Sequence, residues 1–531
     1  MQNKTIIVAI FCLLMISVGT VGKADQTEFD MTFEKAKIFM VFTTKGYMSK
    51  APENLFTNDE VFRKLRETCK DVDFIVWDIT KSDVTMEDII ADLNRRKENL
   101  DGVLIIGTLR PLIRGDSPYA GGGPFELATT GLPTIVVNNH LVFPWIPYNL
   151  FKTGKEVDLI RTGGPSYENV RVLTAVLDRR NQCKPSISQA MFDDLIYKIK
   201  LIEVLNKMKQ TRILVVTPHK FLAFVDYSIG DTNKRFPEDY NERYRKALKE
   251  TFGTELVMRP PEEFYEAFRN VDVKEAEQVA DMWISEAREL LDTTKSEVIN
   301  TAKSYLAFDA MRRKYNCHAV STHMRSFTGS GKTEHRFWPG LGLMELQKHG
   351  IQAICQEYSN IMVSHLIAYY FCGRPSMLGD IIFDTFNNLT ILTHCGHPLN
   401  PWGDERRLEY TISCHAESPV GGTLKPGSST GVRVFIPAGE TVTTWKVYVL
   451  LKKIGVFTGV TVNPDDYYKD IHKGIHCRTK LITKVTDAEK IQNFYAVDSY
   501  GLHRTGTFGD FRQMIKDIAH LVGFKVVEED K

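Results

Sequence analysis

The stretch AKIFMVFTT, residues 36–44, begins a series of short apolar runs that sets the fold of the first part of the chain. DVDFIVWDI at residues 71–79, DGVLIIGTL at 101–109 and LPTIVVNNH at 132–140 continue the series. Polar segments of helical length separate the first three runs. Buried strands spaced in this way are typical of a parallel sheet covered by helices. An α/β domain is therefore predicted, followed by a long amphipathic connection over residues 166–209.

A second series of strand and helix signals starts at TRILVVTPH, residues 211–219. CHAVSTHM at residues 317–324 and IQAICQEY at 351–358 are predicted strands. A helix closed by Gly350 lies between them, and residues 359–373 form another. This part of the chain is predicted to be a second α/β domain.

The pattern changes near residue 400, where Gly, Thr and Val become frequent and two-residue alternation replaces the helical period. The predicted fold class is α/β, with two Rossmann-like parallel-sheet domains followed by a C-terminal all-β, barrel-like domain. The expected boundaries are 25–205 for the first domain, 206–400 for the second and 401–531 for the β domain, which ends in a closing helix at 508–523.

The composition and the N-terminal residues indicate which partners and which location are expected for the protein. The chain has 531 residues, 43% of them hydrophobic, and a formal net charge of +1, which argues against binding to nucleic acid. Residues 1–24 have the form of a secretory signal peptide, with Lys4 before a short apolar run and small residues at the exit. The run is too short to span a bilayer comfortably, so we expect an exported protein without a stable membrane span after cleavage.

Cysteine usage is sparse for an exported chain. Of the nine cysteines, Cys12 lies in the signal peptide, and the others are scattered without a CxxC pair. Most are expected to be buried thiols, although one or two disulfides stay open because their pairing cannot be read from the sequence.

Candidate chemistry is weak when each motif is taken singly. GSGKT at residues 329–333 lacks the first glycine of a phosphate-binding loop, since Ser326 stands there, and a surface loop is the better interpretation. HCGHP, which begins at His394, has spacings too short for a closed zinc site but could give one histidine to an open metal or substrate site. Asp380 is expected near the start of a strand, and His503 between the β unit and the last helix.

The order of these motifs resembles the L-fucose isomerase/L-arabinose isomerase superfamily. The resemblance rests on the Gly-Ile-x-Ala-x-Cys strand, the helix ending in Gly-Arg-Pro, the acid at Asp380 and the His-Cys-Gly run at His394. The C-terminal segment at residues 503–527, where a His precedes Gly-Asp and a helix, is also similar to the end of that family. The resemblance is specific in residues 340–398 and from His503 onward.

The resemblance implies an aldose–ketose sugar isomerase that depends on Mn²⁺ or another divalent cation and acts through an enediolate. It places the second family carboxylate, catalytic and metal-binding, at Asp380, the terminal metal-binding histidine at His503, and a further metal ligand at His394. It also implies a small-molecule sugar substrate and a homo-oligomer, a trimer or hexamer. Hard oxygen ligands with imidazole suit Mn²⁺.

The first family carboxylate is where the sequence departs from the family pattern. A gap-free alignment from Asp380 places that Glu at Gln356, and Glu357 is one position later. Neighbouring side chains on a strand point to opposite faces, and a neutral Gln cannot act as a base. Three alternatives stay open: Glu357 reaches the ion through a bulge and serves as a catalytic ligand, Gln356 remains in an altered site, or the alignment is shifted by one residue.

Three functional hypotheses follow from the sequence. The first is an active metal-dependent isomerase with Gln356 or Glu357, Asp380, His394 and His503 around the ion. The second is an exported carbohydrate-binding relative without catalysis, because Gln356 replaces the catalytic Glu. The third, a two-lobed solute-binding protein, explains the export signal and the α/β lobes but not the β domain.

Overall fold

The computed structural model describes residues 32–43, 58–79, 81, 83–107, 109–110, 123–124, 127–138, 171–177, 185–217, 239–322, 339–356, 359–394, 396–415, 430–473, 477–498 and 501–531. By their contacts, residues Glu34–Lys531 group into one unit. The predicted signal peptide, GSGKT and Glu357 lie outside the described residues.

The first α/β region is built on a parallel sheet with the strand order β2-β1-β3-β6-β7. Its strands are β1 (Ala36–Phe42), β2 (Val72–Asp78), β3 (Gly102–Ile106), β6 (Thr134–Asn138) and β7 (Val172–Val176), while β4 (Leu109–Arg110) and β5 (Gly123–Pro124) pair separately. Its helices are α1 (Asn58–Thr68), α2 (Met86–Arg96) and α3 (Pro185–Gln210), and a 3₁₀ turn follows α2 at Lys97–Asn99.

Alternate residues of β1 explain why its sequence is apolar without interruption from Ile38 to Phe42. Ile38 and Met40 pack in a core with residues of α1 and α3, whereas Phe39 and Val41 pack in a second core with residues of α2. Both faces of the sheet are therefore covered, and every β1 residue that faces either core is apolar.

The connection predicted over residues 166–209 contains a strand that sequence analysis missed. β7 is only five residues long, and its Val172 and Ala175 belong to the two different cores. The helix that follows, α3, continues to Gln210, so the expected domain boundary at 205/206 falls inside a helix. Sequence alone could not show this, because α3 packs on the first sheet and leads directly into the second.

The second α/β region has a parallel sheet with the order β11-β10-β8-β9. Its strands are β8 (Arg212–Val216), β9 (Glu255–Arg259), β10 (Ala319–Thr322) and β11 (Gln352–Ile354). Its helices are α4 (Tyr240–Phe252), α5 (Pro261–Arg269), α6 (Val273–Glu286), α7 (Lys295–Lys314), α8 (Gly340–Lys348) and α9 (Ser359–Cys372). The carboxyl end of β11 is followed at once by Cys355 and Gln356.

The last region is an antiparallel barrel closed in the order β16-β19-β12-β13-β18-β17, with β17 pairing back to β16. Its strands are β12 (Met377–Asp384), β13 (Leu389–His394), β16 (Thr441–Tyr448), β17 (Lys453–Thr461), β18 (Thr479–Lys484) and β19 (His503–Phe508). β20 (Lys525–Glu528) adds to β17 in parallel, and β14 (Tyr410–Ser413) pairs with β15 (Gly431–Val434). The remaining helices are α10 (Ala488–Asp498) and α11 (Arg512–Val522), with 3₁₀ turns at Pro464–Asp466 and Ile471–Lys473.

The barrel starts earlier in the chain than the expected boundary at residue 400. β12 pairs with β19, more than a hundred residues later, and β13 pairs with β18. The composition shift used to place the boundary marks only the later strands, although β13 is a barrel strand buried along its whole length. Asp380 consequently lies within β12, and His503 opens a barrel strand and is not in a linker.

The general architecture expected from the sequence is confirmed: two parallel-sheet α/β regions precede a closed antiparallel β-barrel. Among the described residues, none of the helices combines the length and the apolar character that crossing a bilayer requires. Six of the cysteines, Cys69, Cys317, Cys355, Cys372, Cys414 and Cys477, are free thiols.

Candidate metal centre

The barrel register brings Asp380 and His503 side by side. Asp380 of β12 is directly opposite His503 of β19 on one side and Thr393 of β13 on the other. Side chains of directly opposed residues share a face of the sheet. Accordingly, Nε2 of His503 lies 2.6 Å from Oδ1 of Asp380.

His394, the last residue of β13, completes the cluster. Its ring centroid is 6.0 Å from that of His503, with 66° between the ring planes. One ligand atom from each of Asp380, His394 and His503 can be chosen so that all lie within 4.8 Å of one another. Residues separated by more than a hundred positions in sequence thus form one group of three candidate ligands.

The donor set fits a divalent cation. Two donors on opposite sides of an ion, each at about 2.1 Å, lie about 4.2 Å apart. Atoms already within 4.8 Å need only small side-chain movements to reach such spacings. One carboxylate oxygen and two imidazole nitrogens suit Mn²⁺, Fe²⁺ or Zn²⁺ better than Ca²⁺.

Burial prepares His503 for ligation. The pKa of His503 is lowered to about 4, mainly by burial. His394 and Lys446 contribute to this lowering, while Asp380 acts in the opposite direction. An imidazole must be neutral to bind a metal, so the environment favours the ligand form at neutral pH. The side chain of Asp380 is 38% exposed whereas that of His503 is 12% exposed, which leaves the carboxylate side of the cluster accessible.

Cys355 contacts His394 from the second α/β region. Its Sγ lies 3.0 Å from Nδ1 of His394, and both residues are buried. A thiolate or thiol sulfur that accepts from Nδ1–H leaves the Nε2 lone pair free to bind a metal. In the sequence, Cys355 is notable only as part of a strand motif, because no neighbouring residue indicates a contact with a barrel strand.

Gln356 directly follows Cys355 in the chain. The backbone oxygen of Gln356 accepts a hydrogen bond of 3.0 Å from Ser321 Oγ of β10. Its side-chain Oε1 is buried and has no hydrogen-bond partner among the described residues. Glu357 lies outside those residues, so its expected role stays a prediction.

His415 and Lys480 were not predicted as site residues. The pKa of His415 is lowered to about 3, mainly by burial, with contributions from His394 and Arg478. The contribution of His394 indicates that His415 lies near the cluster. Lys480 of β18 is directly opposite Thr393, which is itself opposite Asp380. Both residues could have been found only from the barrel register, since neither belongs to a local motif.

The cavity that touches the cluster is small. Its volume of about 20 Å³, bordered by Met344, Cys355, Leu378 and His394, holds about one water molecule. It is mostly apolar and too small for a sugar. A substrate would therefore approach from the exposed side of Asp380.

Comparison with known proteins gives no family for this chain. No family model matches it, and a search of curated proteins finds no significant match. The fold and the cluster define an α/β protein with a C-terminal β-barrel and a candidate divalent-metal centre. Its function is argued from that centre and from the sequence resemblance.

Proposed function

We propose that the protein is a divalent-metal-dependent aldose–ketose isomerase that acts through an enediolate. The observation that carries the proposal is the convergence of Asp380, His394 and His503 within 4.8 Å. These are the residues that the resemblance to L-fucose and L-arabinose isomerases marks as ligands. They come from three different barrel strands, β12, β13 and β19.

The chemistry assigns each group a task. Mn²⁺ or a similar cation, held by Asp380, His394 and His503, would stabilise charge on two adjacent substrate oxygens. After a base has removed the proton from one carbon, Asp380, the accessible carboxylate, would move it to the neighbouring carbon. Glu357 is proposed as the partner carboxylate and catalytic ligand, with Gln356 as the alternative neutral ligand.

A second candidate function is carbohydrate binding without catalysis. Gln356, at the position of the family Glu, favours it, because an amide can bind a hydroxyl or an ion weakly but cannot accept the proton. On this proposal the metal centre orients the sugar and no ketose forms. Export through the signal peptide fits both candidates, as does assembly into a trimer or hexamer.

The test is an isomerase assay with matched variants. Purified protein with Mn²⁺ is incubated with a panel of aldopentoses and aldohexoses, each in neutral, terminally phosphorylated and uronic forms, and ketose formation is measured. The wild type and the surface control Asp281→Asn, whose exposed carboxylate contacts Lys295, are expected to form ketose. Asp380→Asn is expected to be inactive. Absence of ketose from every sugar would refute the isomerase.

Gln356→Glu and Glu357→Gln separate the two candidates. If Glu357 is the base, Glu357→Gln abolishes turnover and Gln356→Glu changes it little. If the wild type is a binding protein, sugars raise its melting temperature without turnover. A gain of activity in Gln356→Glu then identifies the substitution that removed catalysis.

A further inference from the structure

Two cations, Lys480 and Arg478, lie near the candidate metal centre and bond to backbone oxygens of the described residues. Nζ of Lys480 donates to the backbone oxygen of Cys477 at 2.7 Å. Arg478 donates to the backbone oxygen of His472 at 3.2 Å and approaches the backbone oxygen and Sγ of Cys414 at 3.5 and 3.8 Å. Among the described residues, neither cation has a carboxylate within the 4.0 Å of an ion pair.

Buried cations held near one another lower the stability of the folded protein, so stability alone does not account for this arrangement. Lys480 is 4% exposed, and a buried ammonium normally has an anionic partner. Burial lowers the pKa of Lys480 to about 8, Cys477 opposes that shift, and Arg478 and Arg433 add to it. Like charges are therefore held near one another inside the protein, which is the arrangement expected where an anion binds.

Arg433 is less suited to a ligand than the other two. Its guanidinium stacks on Phe435 with 4.6 Å to the ring centroid. Asp465, Glu289 and Asp470 act to raise its pKa against the lowering effect of burial, so acids already face it. The anion site is consequently assigned to Lys480 and Arg478.

The barrel register fixes where this site lies relative to the metal centre. Across neighbouring strands, Asp380 is opposite Thr393, and Thr393 is opposite Lys480. All share one face, and two strand spacings separate the Cα atoms of Asp380 and Lys480 by about 10 Å. Thr393 Oγ1 also donates to the backbone oxygen of Cys477, at 3.1 Å, which ties β13 to the same carbonyl that holds Lys480.

We propose that Lys480 and Arg478 bind an anionic group at the end of the substrate distant from the metal centre. The substrate class is then an acidic or phosphorylated sugar, and not a neutral one. An extended sugar of five or six carbons, with its carbonyl end at Asp380, reaches Lys480 with a terminal phosphate or carboxylate. The sugar part of the inference rests on the proposed function, whereas the anion site stands by itself.

The experiment compares the binding of anions and of matched sugars to the purified protein. Binding of inorganic phosphate, and of sugars as neutral, terminally phosphorylated and uronic forms, is measured by calorimetry with Mn²⁺ present. Lys480→Met is the test variant, since Met keeps the volume and removes the charge. Lys484→Met is the matched control, because Lys484 is exposed on the same strand. Arg478→Gln provides a second test variant.

We expect a charged form to bind at least about tenfold more tightly than its neutral parent, and added salt to weaken it. Lys480→Met and Arg478→Gln should remove this preference, while Lys484→Met keeps it. The phosphate and uronate arms show which anion is preferred. Equal binding of neutral and charged sugars, or an unchanged preference in Lys480→Met, would overturn the proposal.

Mn²⁺ binding separates this inference from the proposed function. Lys480→Met should bind Mn²⁺ like the wild type, because Lys480 is not among the ligands. If Mn²⁺ binds and neutral sugars are isomerised, the anion site is wrong and the isomerase stands. If phosphate binding depends on Lys480 but no sugar is converted, the anion site stands and the isomerase fails.

Discussion

Replacement of Cys355 by Ala tests how the second α/β region supports the metal centre. The substitution removes the Sγ atom that lies 3.0 Å from Nδ1 of His394. His394 then has no sulfur to fix its tautomer and ring orientation. The three candidate ligands, Asp380, His394 and His503, are unchanged, so any effect on metal binding must pass through His394.

The magnitude follows from the class of contact. Loss of a group that orients a ligating histidine typically lowers metal affinity by about 10–100-fold. This corresponds to about 1.4–2.7 kcal/mol of binding free energy. The same substitution also removes a buried sulfur, so the free energy of unfolding falls by about 1 kcal/mol regardless of the metal.

The assay is calorimetric titration with Mn²⁺, together with urea unfolding of the metal-free protein. Cys317→Ala is the matched control, because Cys317 is also buried and free but contacts the backbone oxygen of Tyr315. Both variants should lose similar unfolding free energy, and only Cys355→Ala should bind Mn²⁺ more weakly. Equal Mn²⁺ affinity in Cys355→Ala and the wild type would refute the positioning role.

Two further predictions concern the barrel. Glu529→Gln removes the charge that lies 3.2 Å from Nη2 of Arg504, and both side chains are fully buried. The free energy of unfolding in urea should therefore fall by about 3–5 kcal/mol. A loss below about 1 kcal/mol would show that the ion pair is not needed for stability. Burial lowers the pKa of His397 to about 4, against the opposing Pro398 carbonyl. Because the unfolded chain binds the proton more readily, His397 contributes stability that is present above pH 6.5 and is lost as the pH falls to about 4, by about 3 kcal/mol. His397→Gln should remove that part of the pH dependence of unfolding, and an unchanged slope between pH 6.5 and 4 would contradict it.

Local signals in the sequence predicted the strands and helices that carry continuous apolar runs. β1, β2, β3 and β8 each lie inside a predicted run, because a strand buried on both faces needs apolar residues at every position. β7 was missed because the amphipathic connection predicted over residues 166–209 covered it together with most of the helix of 26 residues that follows. Its place is set by packing on β6 and not by its own composition.

The candidate site could be predicted only in part. Asp380, His394 and His503 were selected by resemblance, but their proximity depends on β12 pairing with both β13 and β19. That register also brings in Lys480, and Cys355, which directly follows β11, joins the site through its contact with His394. Non-local pairings of this kind leave no periodic trace near any of these residues in the sequence.

Metal stoichiometry tests the central claim most directly. The purified protein is stripped of metal with a chelator and titrated with Mn²⁺, in parallel with Asp380→Asn, His394→Gln and His503→Gln. The cluster of these residues predicts about one Mn²⁺ per chain in the wild type and a loss of affinity of at least about tenfold in each variant. A wild-type protein that binds no Mn²⁺, Fe²⁺ or Zn²⁺, or variants that bind as tightly as the wild type, would contradict the account.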